Sequence, residues 1–479
     1  MFLRMIYDEK LAQAAYVIGC PGSGEAIVFD PLRDVDRYVD VAKQQGVRIT
    51  KVAETHVHAD FLSGARELAE QTGAEVLVSG EGGAEWTPSW LGKKSGGGAY
   101  DHRLLSDGDT FSVGSIEFRV VHTPGHTPEH VVYVVKDTAS GAGEPVGVVS
   151  GDFLFVGDVG RPDLLETAAG QEGVMRPAAE ALHGSLSRIE RLPDFAQVWP
   201  GHGAGSACGK SLGGLPSSTV GYEKRFSPAL ALIEDRSAFV SFILDGQPEP
   251  PAYFARMKRD NVAGPPVLGG LPKPERVSIV TLRVLDASGS VIIDTRPWAS
   301  FRDRHVASSL WIPIHQSFTT NAGALIDPGD DVYLIADEAA IDQAVRDLVR
   351  VGIDRVRGWC PPDDLDQGLN DSDASIDEVS PAEARTLTEA DGAYLLDVRR
   401  ASEVAAGGLP GAGNIAHTRL AVRVDDVPTD QTVYVSCQSG RRSAVAASYL
   451  RRNGRRAVNV AGGFAAWASA GLPIESHTG

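Results

Sequence analysis

Residues 55–61 read Thr-His-Val-His-Ala-Asp-Phe, between an apolar and β-branched run, Val47 to Val52, and a helical pattern that begins near Ser63. Two histidines and an aspartate on a strand-to-helix loop can converge on one point, so this spacing predicts a metal site. Three later loops carry matching chemistry: His122 to His130, Ser150 to Asp163, and Trp199 to Gly203. Six of the twelve histidines fall in these four loops, which favours one common site over scattered surface histidines. His56, His126 and Asp152 offer two imidazoles and one carboxylate from three separate loops. Such a set with open positions suits iron(II) and oxygen chemistry, and zinc accepts the same ligands.

The pattern from Ala14 to Ser79 is strand, hairpin turn, strand, helix, strand, loop, helix, strand, which predicts an α/β layered domain. The glycines of Cys20 to Gly24 read as a hairpin, because no phosphate-loop signature accompanies them. Strands are expected again at 110–113, 116–122, 131–135 and 146–150, and an amphipathic helix at 178–191. A Pro- and Gly-rich stretch, Asn261 to Lys273, reads as a domain boundary. Beyond it lies an internal repeat. Val291 to Pro297 answers Tyr394 to Arg400, and Val332 to Ala336 answers Val433 to Cys437. Each half continues with a helix, then Gly352 or Gly454, then a short strand and Trp359 or Trp467.

At 479 residues the chain needs several cores. A net charge of −18 argues against nucleic acid and anionic membranes as partners. The charged first residues and the lack of a long apolar run lead to an expected cytoplasmic location. Four cysteines, none in a C-x-x-C pair, make no disulfide framework.

His56-x-His58-x-Asp60, Pro124-Gly125-His126-Thr127, Gly151-Asp152 and Pro200-Gly201-His202 occur in the order that resembles the metallo-β-lactamase superfamily. The resemblance covers the first half of the chain and implies an αββα sandwich. Two-zinc members such as glyoxalase II carry H-x-H-x-D-H, whereas the last position here is Phe61. Losing that imidazole leaves Asp60, Asp152 and His202 for a second cation, a thinner set than zinc usually takes. Within the superfamily the resemblance is to persulfide dioxygenases, which implies one Fe(2+) per chain on His56, His126 and Asp152. His58, Asp60 and His202 would then orient ligands or hold water. Arg161 would contact an anionic substrate or hold its loop through Asp163. Cys208, near Lys210, is expected as a persulfide relay whose thiolate the lysine favours. His122 and His130 read as hydrogen-bonded loop histidines.

Cys437-Gln438-Ser439-Gly440-Arg441-Arg442-Ser443 follows a strand and opens a helix, so backbone N–H groups and a helix N-terminus favour a nucleophilic thiolate. With Leu396 to Arg399 before it and Val460 to Trp467 after it, the segment resembles the rhodanese sulfurtransferases. That implies Cys437 as sulfur carrier, Arg441 and Arg442 as positive charge beside it, and Gln438 and Gly440 as substrate contacts. The earlier copy has Ala336 to Ala340 in place of this loop, with no Cys or Arg. The expected architecture is therefore α/β throughout: a metallo-β-lactamase-like domain (1–262), a rhodanese-like domain lacking the cysteine (276–365) and a rhodanese domain (379–476).

The resemblances together imply a thiol persulfide oxidised by O2 to sulfite and thiol. Sulfane-sulfur transfer through Cys437 to sulfite would follow, giving thiosulfate. A homo-oligomer is expected. The rival expectations are a glyoxalase II-type zinc thioester hydrolase fused to a rhodanese, and a non-catalytic persulfide carrier.

Overall fold

A computed structural model describes residues 1–168, 170–368 and 373–475. The end of the third expected domain, residue 476, lies outside them. The chain forms two units, Met1–Gly270 and Leu271–Gly479.

The first unit holds two six-stranded sheets. One takes its strands in chain order: Phe2–Asp8, Gln13–Cys20, Glu25–Phe29, Arg48–Ala53, Glu75–Ser79 and His102–Leu105. The first two pairs are antiparallel. The next two are parallel, because the helices Asp36–Gln44 and Ala65–Thr72 cross over between them. The other sheet runs Ser218–Thr219, Gln197–Pro200, Gly147–Gly151, Val131–Asp137, Ile116–His122, Thr110–Val113 from edge to edge.

Strand alternation turns one face of each sheet inward. Tyr16, Ile18, Ile27 and Phe29 meet Phe118, Val120, Tyr133 and Val135 in one core. The rings of Phe118 and Tyr133 lie 5.5 and 4.9 Å from that of Phe29. On the outer faces, Val17 and Val28 pack with Tyr38 and Leu68 of the two crossover helices. Val132, Val134 and Val148 pack with Leu182 and Phe239, from the helices Met175–Leu186 and Arg236–Leu244. This is the αββα sandwich. The helix expected at 178–191 thus starts three residues earlier and ends at Leu186.

The division between the units, after Gly270, falls within the stretch 261–273. Asn261 belongs to the helix Phe254–Ala263. Arg66 donates to the carbonyls of Gly264 and Pro265, and the Glu67 carboxylate accepts from the N–H groups of Leu268 and Gly269. The Pro and Gly residues therefore dress the first unit, which closes at Gly270.

In the second unit both copies of the repeat build a five-stranded parallel sheet of the same order. The first runs Glu275–Arg276, Val356–Cys360, Asp331–Ile335, Ser290–Asp294, Leu310–Trp311. The second runs Glu378–Val379, Arg456–Val460, Thr432–Ser436, Tyr394–Asp397, Gly413–Asn414. The copies are one compact unit rather than two, because the helix Arg441–Arg452 is buried between them over Ser443 to Leu450. Ser448 Oγ accepts from the Trp311 N–H at 3.0 Å, and Arg452 donates to the carbonyls of Ser308, Ala287 and Ser290. Among the described residues no helix is long and apolar enough to cross a membrane.

Candidate metal centre and thiol loop

The strand Arg48–Ala53 delivers the Thr55–Phe61 loop, while the parallel strands Gly147–Gly151 and Gln197–Pro200 deliver Asp152 and His202 side by side. The His126 loop joins two antiparallel strands of the same sheet. A bond from the Val131 N–H to the Thr55 carbonyl, 2.9 Å, ties the two sheets together at this point.

His56, His126 and Asp152 come together in one buried group, their donor atoms within 4.8 Å of one another. Asp152 Oδ2 lies 3.9 Å from His56 Nε2 and 3.5 Å from His126 Nε2. The hydrogen bonds of the other ring nitrogens assign the tautomers. His126 Nδ1 donates to the Arg161 carbonyl at 2.9 Å, and His202 Nδ1 donates to that of Ala12 at 3.1 Å. The Thr55 hydroxyl is committed as a donor to Asp30 Oδ2, so it accepts from His56 Nδ1 at 3.0 Å. All three rings thus turn an Nε2 lone pair toward the carboxylates. Burial and the neighbouring imidazoles push the His56 pKa well below its ordinary value, and burial lowers that of His126. Both oxygens of Asp60 and Asp152, and His202 Nε2, have no hydrogen-bond partner among the described residues. Buried carboxylates without partners are costly unless a cation sits among them. The donor set therefore fits a divalent metal.

His58 turns the other way. Its Nε2 lies 2.9 Å from Glu54 Oε2 and 3.2 Å from Asp30 Oδ1, leaving Nδ1 without a partner among the described residues. Burial disfavours its charged form, but the two carboxylates outweigh that and hold its pKa well above the ordinary value. Glu54, raised by burial to about 7, also accepts from the Ser63 hydroxyl. Phe61 is buried, with its ring stacked 4.3 Å from that of His58 and packed with Leu11 and Leu32.

Arg161 is closed onto the protein itself. It is 1% exposed, its guanidinium binds both oxygens of Asp163 at 2.8 and 2.6 Å, and Nη1 donates to the Ala207 carbonyl. Its role is to tie the His126, Asp163 and Cys208 loops together. Lys210 likewise does not activate Cys208: its ammonium donates to the carbonyls of Phe242 and Asp245. Cys208 instead lies with Asp60 and His202, where burial and the Asp60 and Asp152 carboxylates push its pKa well above the ordinary thiol value. His122 Nε2 donates to the Pro128 carbonyl. His130 accepts the Asp152 N–H at 3.1 Å and donates to Thr123.

Sequence reasoning missed several supports. Asn261 donates to the carbonyls of His58 and Phe61 and accepts from the Ser63 N–H, stapling the loop from 200 residues away. Asp30 binds Thr55 and His58 from a left-handed backbone position, φ 49°. Glu129 accepts the Val57 N–H at 2.7 Å. Glu129 stood inside the quoted loop His122 to His130 and Glu54 directly before Thr55, whereas nothing local marks Asn261.

In the second unit, Cys437 follows the strand Thr432–Ser436, and Gly440 (φ 91°) turns the chain into the helix Arg441–Arg452. The buried Sγ accepts from the Gly440 N–H at 3.1 Å and from the Ser443 hydroxyl at 3.4 Å. The Cys437 carbonyl accepts from Phe464, and a Cβ on Gly463 would lie 2.2 Å from it, which explains the Gly462-Gly463 pair. Gln438, Ser439 and Arg441 form the exposed rim. Arg442 is bound by both oxygens of Glu403 at 2.7 Å, so its charge is balanced rather than open to an anion. Burial alone would raise the Glu403 carboxyl, but this pairing holds it at about 2.

The earlier copy differs in length as well as composition. Only Ala336 and Asp337 separate its strand from the helix Glu338–Arg350, so Glu338 to Ala340, expected in the loop, form the first helical turn.

A buried group of imidazoles and carboxylates on the loops of an αββα sandwich defines a class of metal-dependent enzymes. The metallo-beta-lactamase superfamily model matches residues 9–202, and the rhodanese-like domain model residues 380–470. The solved metallo-beta-lactamase of Staphylococcus aureus subsp. aureus COL is 35% identical, with a TM-score of 0.67, over 76% of this chain and 99% of that one. This chain belongs to the metallo-beta-lactamase superfamily and carries a rhodanese-like domain.

Among curated relatives, the beta-lactamase hydrolase-like protein of Xylella fastidiosa (strain 9a5c) is 29% identical over 56% of this chain and 61% of its own length. The chain spans about three fifths of such relatives. The mitochondrial persulfide dioxygenase ETHE1 of Bos taurus is 29% identical over 48% of this chain and 77% of its own.

Proposed function

We propose that the chain is a non-haem iron(II) persulfide dioxygenase joined to a sulfurtransferase. The observation that carries this reading is the buried group of two Nε2 lone pairs and one carboxylate, His56, His126 and Asp152, with each outer Nδ1 already engaged. Two imidazoles and one carboxylate with open positions suit ferrous iron. When bound, that iron, one per chain, supplies the redox chemistry of O2 and the sulfane sulfur. The similarity to a persulfide dioxygenase and the presence of a rhodanese-like domain support it.

In this reading a low-molecular-weight thiol persulfide, O2 and water yield the free thiol and sulfite. The sulfane sulfur loses four electrons, O2 takes them, and water provides the third oxygen. His130 and Arg161 position Asp152 and His126 through backbone bonds, and Asn261 holds the His58 loop. At the second centre the Cys437 thiolate attacks the outer sulfur of a second thiol persulfide, forming a cysteine persulfide as the donor's S–S bond breaks and its free thiol leaves. Attack of sulfite on its outer sulfur forms thiosulfate and returns the thiolate. Gly440 N–H and Ser443 steady that sulfur, with Gln438 and Arg441 on the rim as substrate contacts. Joining both centres on one chain raises the effective concentration of sulfite near Cys437. A relay through Cys208 is left out, since Lys210 is engaged elsewhere and carboxylates surround the thiol.

The test is anaerobic iron loading of the full chain, then O2 uptake and sulfite release with glutathione and coenzyme A persulfides. Uptake stoichiometric with sulfite supports the reading. Thioester cleavage without O2 uptake replaces it with the zinc hydrolase reading, to which a hydroxyacylglutathione hydrolase of Rhodospirillum rubrum, 29% identical over 60% of its length, lends support.

A further inference from the structure

On the sheet that delivers Asp152 and His202, the strands Ile116–His122 and Val131–Asp137 pair Arg119 with Val134 and Val121 with Val132. Strand alternation puts these four on the outer face, because Phe118, Val120, Tyr133 and Val135 between them fill the core. The helices Met175–Leu186 and Arg236–Leu244 cover only part of that face. A short turn, Ile189–Arg191, ends the cover at Leu192. Between this turn, the strand face and the Asp107-Gly108 loop opens a cleft of about 240 Å³.

Two kinds of surface meet there. Val121, Val132, Val134, Ile189 and Leu192 form the apolar side. Arg119, Arg188 and Arg191 form the charged side, with Asp107 the one acid among the described lining residues. Arg188 is already engaged, 3.1 Å from Asp107 Oδ1 and 3.0 Å from the His122 carbonyl, and that pair cancels the acid. The guanidinium groups of Arg119 and Arg191 are exposed and have no partner among the described residues. On a chain of net charge −18, two unpaired positive groups beside an apolar floor invert the general sign of the surface. A guanidinium offers a planar fork of donors that matches a carboxylate. An apolar cavity of about 150 Å³ already holds a benzene ring, so this cleft has room for a short tail and a head group.

We propose that the cleft binds a small amphiphilic carboxylate, a monoanionic head on a short apolar tail. The head meets Arg119 and Arg191, and the tail lies on Val121, Val132 and Val134. Removing the tail from water supplies most of the affinity, while the two arginines select the charge. The cleft shares no residue with His56, His126 and Asp152, so it stands whichever reaction the metal centre serves.

Isothermal titration calorimetry of the full chain with sodium octanoate tests this. A single saturable site per chain is expected, with an affinity that falls as NaCl is raised. Octanol keeps the tail without the charge, and acetate keeps the charge without the tail. Each should bind at least about tenfold more weakly than octanoate. The double variant Arg119→Gln/Arg191→Gln should weaken octanoate by about tenfold with an unchanged circular dichroism spectrum, since both side chains are exposed. Arg119→Lys/Arg191→Lys keeps the charge and should recover most of that loss. Absence of saturable heat overturns the site, and so does octanol binding as tightly as octanoate. An octanoate affinity that the glutamine pair leaves unchanged also overturns it, since the carboxylate would then sit elsewhere, the metal centre included.

Discussion

The two copies in the second unit share a strand order and a buried ion pair, yet only one of them holds a cysteine on the loop that opens its buried helix. Arg296 grips Asp294 through Nε and Nη2 at 2.8–3.1 Å, and Arg399 grips Asp397 at 2.7–3.1 Å. Gly352 and Gly454 take nearly the same φ, 79° and 77°. Scaffold features persist in both. The difference that bears on the thiol is the connection after the fourth strand in chain order, four residues in one copy and two in the other. A four-residue connection bends far enough for Gly440 N–H to reach back to Cys437 Sγ. The two-residue connection enters its helix at once, and its Asp337 and Glu338 would repel an anionic sulfur donor. The copy without the loop cysteine still has work to do, since the Trp311 N–H and the Ser308 and Ser290 carbonyls brace the helix that Gly440 opens.

The sharpest way to break this contrast is Cys437→Ser. Sulfane-sulfur transfer from thiosulfate to cyanide should fall to the uncatalysed background with the melting temperature unchanged. Residual transfer above background would return chemistry to the first copy. Next in size, Asp397→Ala and Asp294→Ala each strand a buried arginine and should each cost about 3–5 kcal/mol in denaturant unfolding. Clearly unequal losses would show that the shared pair is not shared in its energetics.

Ser448→Ala leaves the Trp311 N–H unsatisfied between the copies and should destabilise the unit by about 1–3 kcal/mol. An unaltered unfolding midpoint would sever the proposed bracing. Smaller still is Glu403→Gln, since the pair with Arg442 is partly exposed and such pairs contribute about 0–1 kcal/mol. Glu403 is held at about 2 in the folded chain against an ordinary 4.5. Its contribution is therefore fully present above the ordinary value and is lost as pH falls from there toward 2. The gap in melting temperature between wild type and variant should close across that window, and a gap that widens on acidification contradicts the pairing. Least of all, Asp337→Cys should confer no measurable transfer, because the short connection provides no cradle.

Much of this contrast was legible in the sequence. The Asp-Val-Arg echo of Asp294–Arg296 in Asp397–Arg399 and the C-x-x-G-x-R run are local patterns, and local backbone geometry follows from them. The strand and helix order by itself read as an α/β layered domain, and the two-sheet sandwich followed from the superfamily resemblance carried by the ordered loop motifs. What escaped was the loop length in the first copy, since Glu338 to Ala340 favour a helix turn as readily as a loop. The balanced state of Arg442 also escaped, because Glu403 lies 39 residues away.

The sequence by itself determined which side chains are available as ligands, the loops that carry them and their order, the absence of an imidazole at Phe61, and the thiol at Cys437. Only the tertiary structure decided how those groups divide. It turned His58 toward Asp30 and Glu54, closed Arg161 onto Asp163 and Ala207, drew Asn261 to the loop before Ser63, and set Cys208 beside Asp60 and His202. Each of these outcomes depends on buried polar atoms finding partners across distant segments. Desolvation makes an unpaired buried group costly, so the whole fold, not the neighbouring residues, chooses the partner.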